Sequence, residues 1–291
     1  MANAVTNLLR LARAGLVLSE HGASFVPKGE KVPLPLTALR LATAPLRLLM
    51  WPFRRGRRKD DAAAPIAAAL TRLGPSYIKL GQFMATRRDL IDPDLARDLS
   101  TLQDRLPPFP MSQARQAIEE ALGEKVEALF SEIGPPLAAA SIAQVHKAFT
   151  ADKTASRRVY GATQPAAASA AASPPASLEA MAVKILRPGV EKRFASDLES
   201  FYFGARLLER WYPPIRRLKP VAVVDTLARS VQLEMDLRLE AAAISEMADN
   251  IKADEGFRVP VVDWRRTAKR VLTLEWIDGT PIADHAALRA R

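Results

Sequence analysis

A lysine sits inside an apolar run at Ala182-Val183-Lys184-Ile185. An ammonium taken out of water alone is prohibitively costly, so a buried strand lysine needs an anionic partner. Downstream, Glu234-Met235-Asp236-Leu237-Arg238-Leu239-Glu240 offers three acids in seven residues, inside a predicted helix over 220–250. On that helix Asp236 and Glu240, four apart, share a face, and Glu234 lies on another. A strand lysine held by a helix carboxylate is an arrangement that grips nucleotide phosphates. Upstream, Ala138-Ala139-Ala140-Ser141 stands where a loop would cover those phosphates. Alanine there limits the backbone's approach to a phosphate, because its Cβ takes up room that glycine leaves open. The competing readings are an edge-strand lysine facing solvent, acids on a solvated helix, and an alanine run in a chain with 51 alanines.

Other chemistry is excluded by composition. The 291 residues contain no cysteine, which removes a disulfide framework, Cys-ligated zinc, an iron–sulfur centre and thiol catalysis. His21, His146 and His285 are far apart, so there is no local histidine metal motif, and no metal site is assigned. With 48% hydrophobic and 25% charged residues, the chain is not wholly disordered. The formal net charge of +10 is concentrated: residues 1–60 hold 11 basic and 3 acidic residues. No helix-turn-helix, zinc finger or aromatic-interleaved basic patch turns that charge into nucleic-acid binding, so no nucleic-acid partner is expected.

The elements that must position these groups follow from periodicity and breakers. The N-terminus lacks a clean signal peptide, and the best membrane-span candidate, 36–53, carries Arg40, Arg47 and two prolines. Segments 4–20 and 36–51 read instead as amphipathic helices, followed by the basic run Arg54, Arg55, Arg57, Arg58 and Lys59. That recipe suits a helix lying on an anionic membrane; a helical hairpin packed on the protein suits it equally. Helices are expected at 62–88 with a break at Gly74-Pro75, from Pro93 to about 105, at 112–122 capped by Ser112, and at 124–132. Gly134-Pro135-Pro136 reads as a strong break. Beyond it, strands are expected at 141–149, 181–186, 258–262 and 270–276, with helices at 189–211 and 220–250. Residues 151–179, rich in Ala, Ser and Pro, read as an exposed, disordered insertion.

One resemblance joins these pieces. Leu73-Gly74-Pro75-Ser76-Tyr77-Ile78-Lys79-Leu80-Gly81-Gln82, then the alanine-rich loop, the Val-Lys strand and Glu-x-Asp, resembles the UbiB/ADCK-like family of atypical kinases. The likeness continues through Arg87, Asp92-Pro93 and Leu102-Gln103-Asp104, and fits the bacterial UbiB branch best. It implies an α+β fold: a protein-kinase-like N-terminal lobe of antiparallel sheet and long helices, with an N-terminal helical K-x-G-Q extension. The implied domains are a basic membrane-associating segment at 1–60, the extension at 61–135 and the lobe at 136–291.

The resemblance also assigns roles. Lys184 holds the nucleotide phosphates with Glu240 as its helix partner, and Ala138, Ala139, Ala140 and Ser141 form the covering loop. Lys79 and Gln82 belong to the extension folded across the site, and Glu234 and Asp236 contact that extension or the nucleotide. Glu275 and Trp276 end the last strand at a hinge whose backbone would meet adenine. The implied cofactor is ATP or ADP. Phosphoryl transfer further needs a catalytic-loop Asp, a metal-binding Asn and a second metal-binding Asp. Only residues 280–291 follow the hinge. The C-terminal lobe is therefore expected to be absent, Mg²⁺ to bind only if that lobe is supplied, and the chain alone to be inactive.

The implied function is support of ubiquinone (coenzyme Q) biosynthesis, as a peripheral protein on the cytoplasmic side of the bacterial inner membrane. Biosynthetic enzymes or polyprenyl-quinone precursors are the implied partners. The family's polyprenylphenol hydroxylase label finds no flavin fingerprint or local iron motif here. The alternative is a non-catalytic membrane-surface scaffold or pseudokinase fragment. A lobe lacking its other half would expose apolar surface and self-associate.

Overall fold

A computed structural model describes residues 4–20, 64–87, 91, 93–102, 106–150, 178–280, 282 and 284–290. The expected helix at 36–51, the basic run at 54–59, Asp92, Gln103, Asp104 and residues 151–177 of the insertion lie outside the described residues. The helices are α1 (Ala4–Glu20), α2 (Pro65–Leu73), α3 (Pro75–Thr86), α4 (Pro93–Ser100), α5 (Met111–Leu122), α6 (Val126–Leu129), α7 (Val190–Trp211), α8 (Pro220–Glu234), α9 (Leu237–Asn250) and α10 (His285–Arg289). The strands are β1 (Glu132–Ala139), β2 (Ala143–Thr150), β3 (Glu179–Leu186) and β4 (Val271–Glu275), paired antiparallel in the order β1-β2-β3-β4.

Two compact units result, and neither is continuous in sequence. Residues 1–106 with 189–233 form a helical unit; 107–188 with 234–291 form a sheet unit. The border expected at 135/136 thus falls inside the sheet unit. In the helical unit, Gly74 ends α2 with φ 108, a conformation that favours glycine. The Asp98 carboxylate of α4 accepts hydrogen bonds from Ile66 N (3.0 Å) and Ala67 N (3.1 Å), satisfying donors that the N-terminus of α2 leaves open. The Tyr77 ring meets Phe201 edge-on, with centroids 5.0 Å apart. Burial, reinforced by the Asp197 carboxylate, pushes the Tyr77 hydroxyl up to about 12. α1 packs on α2 and α7 with Asn7 and Ala14 buried: Ser200 Oγ donates to Asn7 Oδ1 at 3.0 Å, and Arg10 donates to Ser196 O at 3.1 Å. Val5, Leu8 and Leu9 are left facing solvent.

In the sheet unit the period-2 alternation of strand side chains decides everything about the site. Gln144, His146 and Ala148 of β2 and Val183 and Ile185 of β3 are buried on one face. Ala114, Ala117 and Ile118 of α5, with Val126 and Leu129 of α6, join the same core cluster. The other face carries Val145, Ala182, Lys184 and Leu272, and α9 packs against β4.

Five sequence expectations are corrected. The helix expected over 220–250 is two helices, because Asp236 takes an extended backbone and caps α9, accepting from Arg238 N at 3.1 Å. Asp236 and Glu240 therefore do not share a helix face. The strand expected at 258–262 is reduced to a bridge, Val262 to Leu274, because Pro260 interrupts the run of donors. Gly134-Pro135-Pro136 is not a break but the middle of β1, whose register slips on either side of Pro136. An edge strand tolerates proline, since one row of donors has no strand to meet. Ser112 lies within the first turn of α5, and Pro110 takes the cap position without a side-chain bond. Finally, α4 stops at Ser100, about a turn earlier than its sequence pattern suggested.

Candidate functional site

Lys184 points away from the core because its strand neighbours Val183 and Ile185 point into it. Its Nζ donates to both carboxylate oxygens of Glu240, at 2.9 and 2.7 Å. Glu240 reaches it from the first turn of α9, beside the seam formed by buried Leu237 and Ala241. The Leu237 amide donates to Lys269 O at 2.9 Å, which fixes where α9 begins. The two side chains keep 30% and 42% exposure. A pair so open contributes only about 0–1 kcal/mol to stability, so holding the fold is not its purpose. An anion can reach the ammonium from solvent, and Glu240 sets its direction. In the antiparallel register Ala138, Val145, Lys184 and Leu272 form one row across the sheet. Val145, with Ala182 beside it on β3, gives the lysine a small apolar floor.

The alanine-rich stretch divides. Ala138 and Ala139 end β1, and Ala140-Ser141-Ile142 makes the tight turn, closed by Ala140 N donating to Ala143 O at 2.7 Å. Arg187, at the end of β3, holds this turn. Its amide donates to Ile142 O (2.8 Å), its Nε to Ala140 O (3.0 Å) and its Nη2 to Pro107 O (2.9 Å). The guanidinium also lies 5.6 Å from the Phe109 ring centre. Phe109 is clasped in turn by Gln144, which accepts from its amide at 3.0 Å and donates to its carbonyl at 3.4 Å. Gln144 Nε2 lies 2.9 Å from His146 Nε2, and His146 Nδ1 lies 2.8 Å from Gly134 O. Burial pushes the His146 pKa down, and its bond to Gly134 only partly offsets this. A second buried knot closes the far end of the sheet. Arg266, hydrogen-bonded to Asp263 (2.6 Å), donates to Leu129 O (2.7 Å) and Thr150 Oγ1 (3.0 Å).

The remaining candidates are placed as follows. Asp236 is occupied by Arg238, at 2.9 and 2.6 Å, and that guanidinium holds its carboxyl below the usual range. Glu234 is the last residue of α8 and half-buried. The Glu275 amide donates to Val261 O (2.8 Å) and the Trp276 amide to Ala180 O (3.1 Å), so both donors are already paired. Lys79 and Gln82, half-buried, are three apart on α3 in the helical unit. Between them, Gly81 is set by packing: a Cβ there would run into Leu102 Cδ1 and Leu70 Cδ1. Sequence reasoning missed Arg187, Gln144 and Arg266, and read His146 only as an isolated histidine. The available signal was the alternation Gln144, His146, Ala148, which puts polar groups on the face that also carries the core.

A family model described as "ABC1 atypical kinase-like domain" matches residues 101–157 and 164–291. A protein of Marinobacter nauticus named "Probable protein kinase UbiB" is 39% identical over 287 residues, covering 98% of this chain and 46% of its own length. Proteins of the same name from Aeromonas hydrophila (35% identical, 97% of this chain, 46% of theirs) and Pseudomonas aeruginosa (38%, 98% and 48%) also match. The chain spans about half the length of these curated relatives. The solved Rv3197–erythromycin complex from Mycobacterium tuberculosis aligns at 25% identity and a TM-score of 0.43, over 86% of this chain and 52% of that one.

Proposed function

Because this chain belongs to the ABC1 atypical kinase-like family, we propose that its sheet unit binds ATP or ADP through Lys184. On this reading it is part of a UbiB-type atypical kinase or ATPase-like protein supporting ubiquinone biosynthesis. The observation that carries the reading is the solvent-open, two-oxygen contact of Lys184 with Glu240. Arg187 holds the turn over the nucleotide, and Val145 and Ala182 supply the apolar floor. Phosphoryl transfer, its Mg²⁺ and its substrate are proposed of the whole protein, whose relatives are about twice as long. Among the described residues no three His, Asp or Glu come together in a group that could hold a metal ion.

Calorimetric titration of the chain with ADP and with ATP tests this. Lys184→Met is expected to weaken binding at least tenfold, about 1.4 kcal/mol. An unchanged affinity in a variant with unchanged circular dichroism sinks the assignment. We propose further that the protein sits on the cytoplasmic side of the bacterial inner membrane, with quinone-biosynthesis enzymes or polyprenyl-quinone precursors as partners. No helix among the described residues is long and apolar enough to cross a membrane. The outward Val5, Leu8 and Leu9 of α1, with the basic excess of residues 1–60, support contact with an anionic surface. Self-association through exposed apolar surface remains part of the proposal, read by sedimentation of the same chain.

A further inference from the structure

The elbow joining α7 to α8 is built unlike the rest of the helical unit. No residue from 206 to 219 is buried. Yet Trp211 is 59% exposed, Leu207 41% and Leu208 38%. At 100° per residue these three occupy an arc of about 100° on α7, and Arg206 and Arg210 occupy the adjoining one. The 3₁₀ turn Pro213–Leu218 then adds Arg216 and Arg217, and Lys219 follows. The segment holds five basic residues against one acid, Glu209. That acid is spent on the elbow's own shape: its carboxylate accepts from Val221 N at 3.1 Å, and its carbonyl accepts from Arg216 Nε at 2.6 Å. The bend is therefore fixed by polar contacts, while Leu207, Leu208 and Trp211 leave 38–59% of their surface open to solvent.

We propose that this elbow is a docking surface for an anionic phospholipid membrane. Leu207, Leu208 and Trp211 enter the boundary between headgroups and acyl chains, and Arg210, Arg216, Arg217 and Lys219 meet the lipid phosphates. The side-by-side apolar and basic arcs are those of a helix lying in a membrane interface, and tryptophan favours that depth. Charge complementarity selects anionic lipid over neutral lipid. A nucleic acid or an acidic protein would satisfy the charges but would give the leucines and Trp211 no apolar phase to enter. The proposal rests on the membrane reading above and adds a second contact, distant in sequence from residues 1–60.

The test is flotation of the full 291-residue chain with phosphatidylglycerol–phosphatidylcholine vesicles and with pure phosphatidylcholine. Each basic group near an anionic surface is worth about fivefold in affinity. Arg210→Glu with Arg217→Glu, which leaves the Arg216 bond to Glu209 in place, should therefore weaken anionic-vesicle binding roughly 25-fold or more. Leu207→Ser with Trp211→Ser should also weaken it, without removing charge. All four side chains are exposed, so an unchanged thermal transition certifies the fold of each variant. If the chain floats with anionic vesicles and both variants float equally well, the elbow is excluded while the membrane reading stands. If the unaltered chain does not float, both fail. If the variants keep vesicle binding but lose retention on a polyglutamate matrix or on duplex DNA, the surface serves a macromolecular polyanion and the proposal is overturned.

Discussion

Lowering the pH should loosen the sheet unit through one residue, His146. Its ring is fully buried on the α5–α6 face of the sheet. Nδ1 faces the Gly134 carbonyl at 2.8 Å, so it carries the proton, and Nε2 is left to accept from the Gln144 amide at 2.9 Å. Gln144 spends its other groups on the Phe109 backbone. A second proton on the ring would set two donors against each other at Nε2. Burial accordingly lowers the folded-state pKa. The sign follows: the unfolded chain binds the proton more readily, so stability is intact above the ordinary imidazole value of about 6.5 and falls below it. The loss levels off once the pH drops under the depressed folded value. Its slope is bounded at about 1.4 kcal/mol per pH unit, or about 2 kcal/mol between pH 6.5 and pH 5. Urea unfolding at about pH 8 and about pH 5 reads this directly. His146→Asn, whose amide can replace the Nδ1 donor, should start less stable but lose less between the two pH values. If the two proteins lose stability equally with acid, the reasoning about His146 is wrong.

Arg266→Met leaves the buried Asp263 carboxylate without its guanidinium and strips Leu129 O and Thr150 Oγ1 of a donor; urea unfolding should show a loss of about 3–5 kcal/mol. Gly81→Ala forces both Leu70 and Leu102 to move, and should cost about 1–3 kcal/mol by the same assay. Arg187→Ala removes one side-chain bond from the hairpin turn and another from Pro107 O; it should lower ADP affinity about fivefold in calorimetry while costing about 1–2 kcal/mol of stability.

The site was half legible in the sequence. A lysine in an apolar run announces a strand and a partner, and Glu240 was among the acids within reach. Asp236 shows why the second step is harder. An aspartate on a helix face and an aspartate capping the next helix look alike locally, and only the path of the chain through Met235 separates them. β1 shows the same limit in a strand. Gly134-Pro135-Pro136 ends most elements, and it survives here because an edge position asks nothing of proline's missing donor.

What the sequence by itself determined is local: most of the helices, the buried strand β3, the glycine break at Gly74, and the charge at position 184. What only the tertiary structure decided is which polar groups are spent on one another. Arg187 meets Pro107 eighty residues away, and Arg266 meets Leu129 at a separation of 137. An arginine on a solvated face and an arginine tying a turn have the same neighbours in sequence. Their difference is the burial and hydrogen-bond satisfaction supplied by distant backbone carbonyls, which exist as partners only once the sheet has closed.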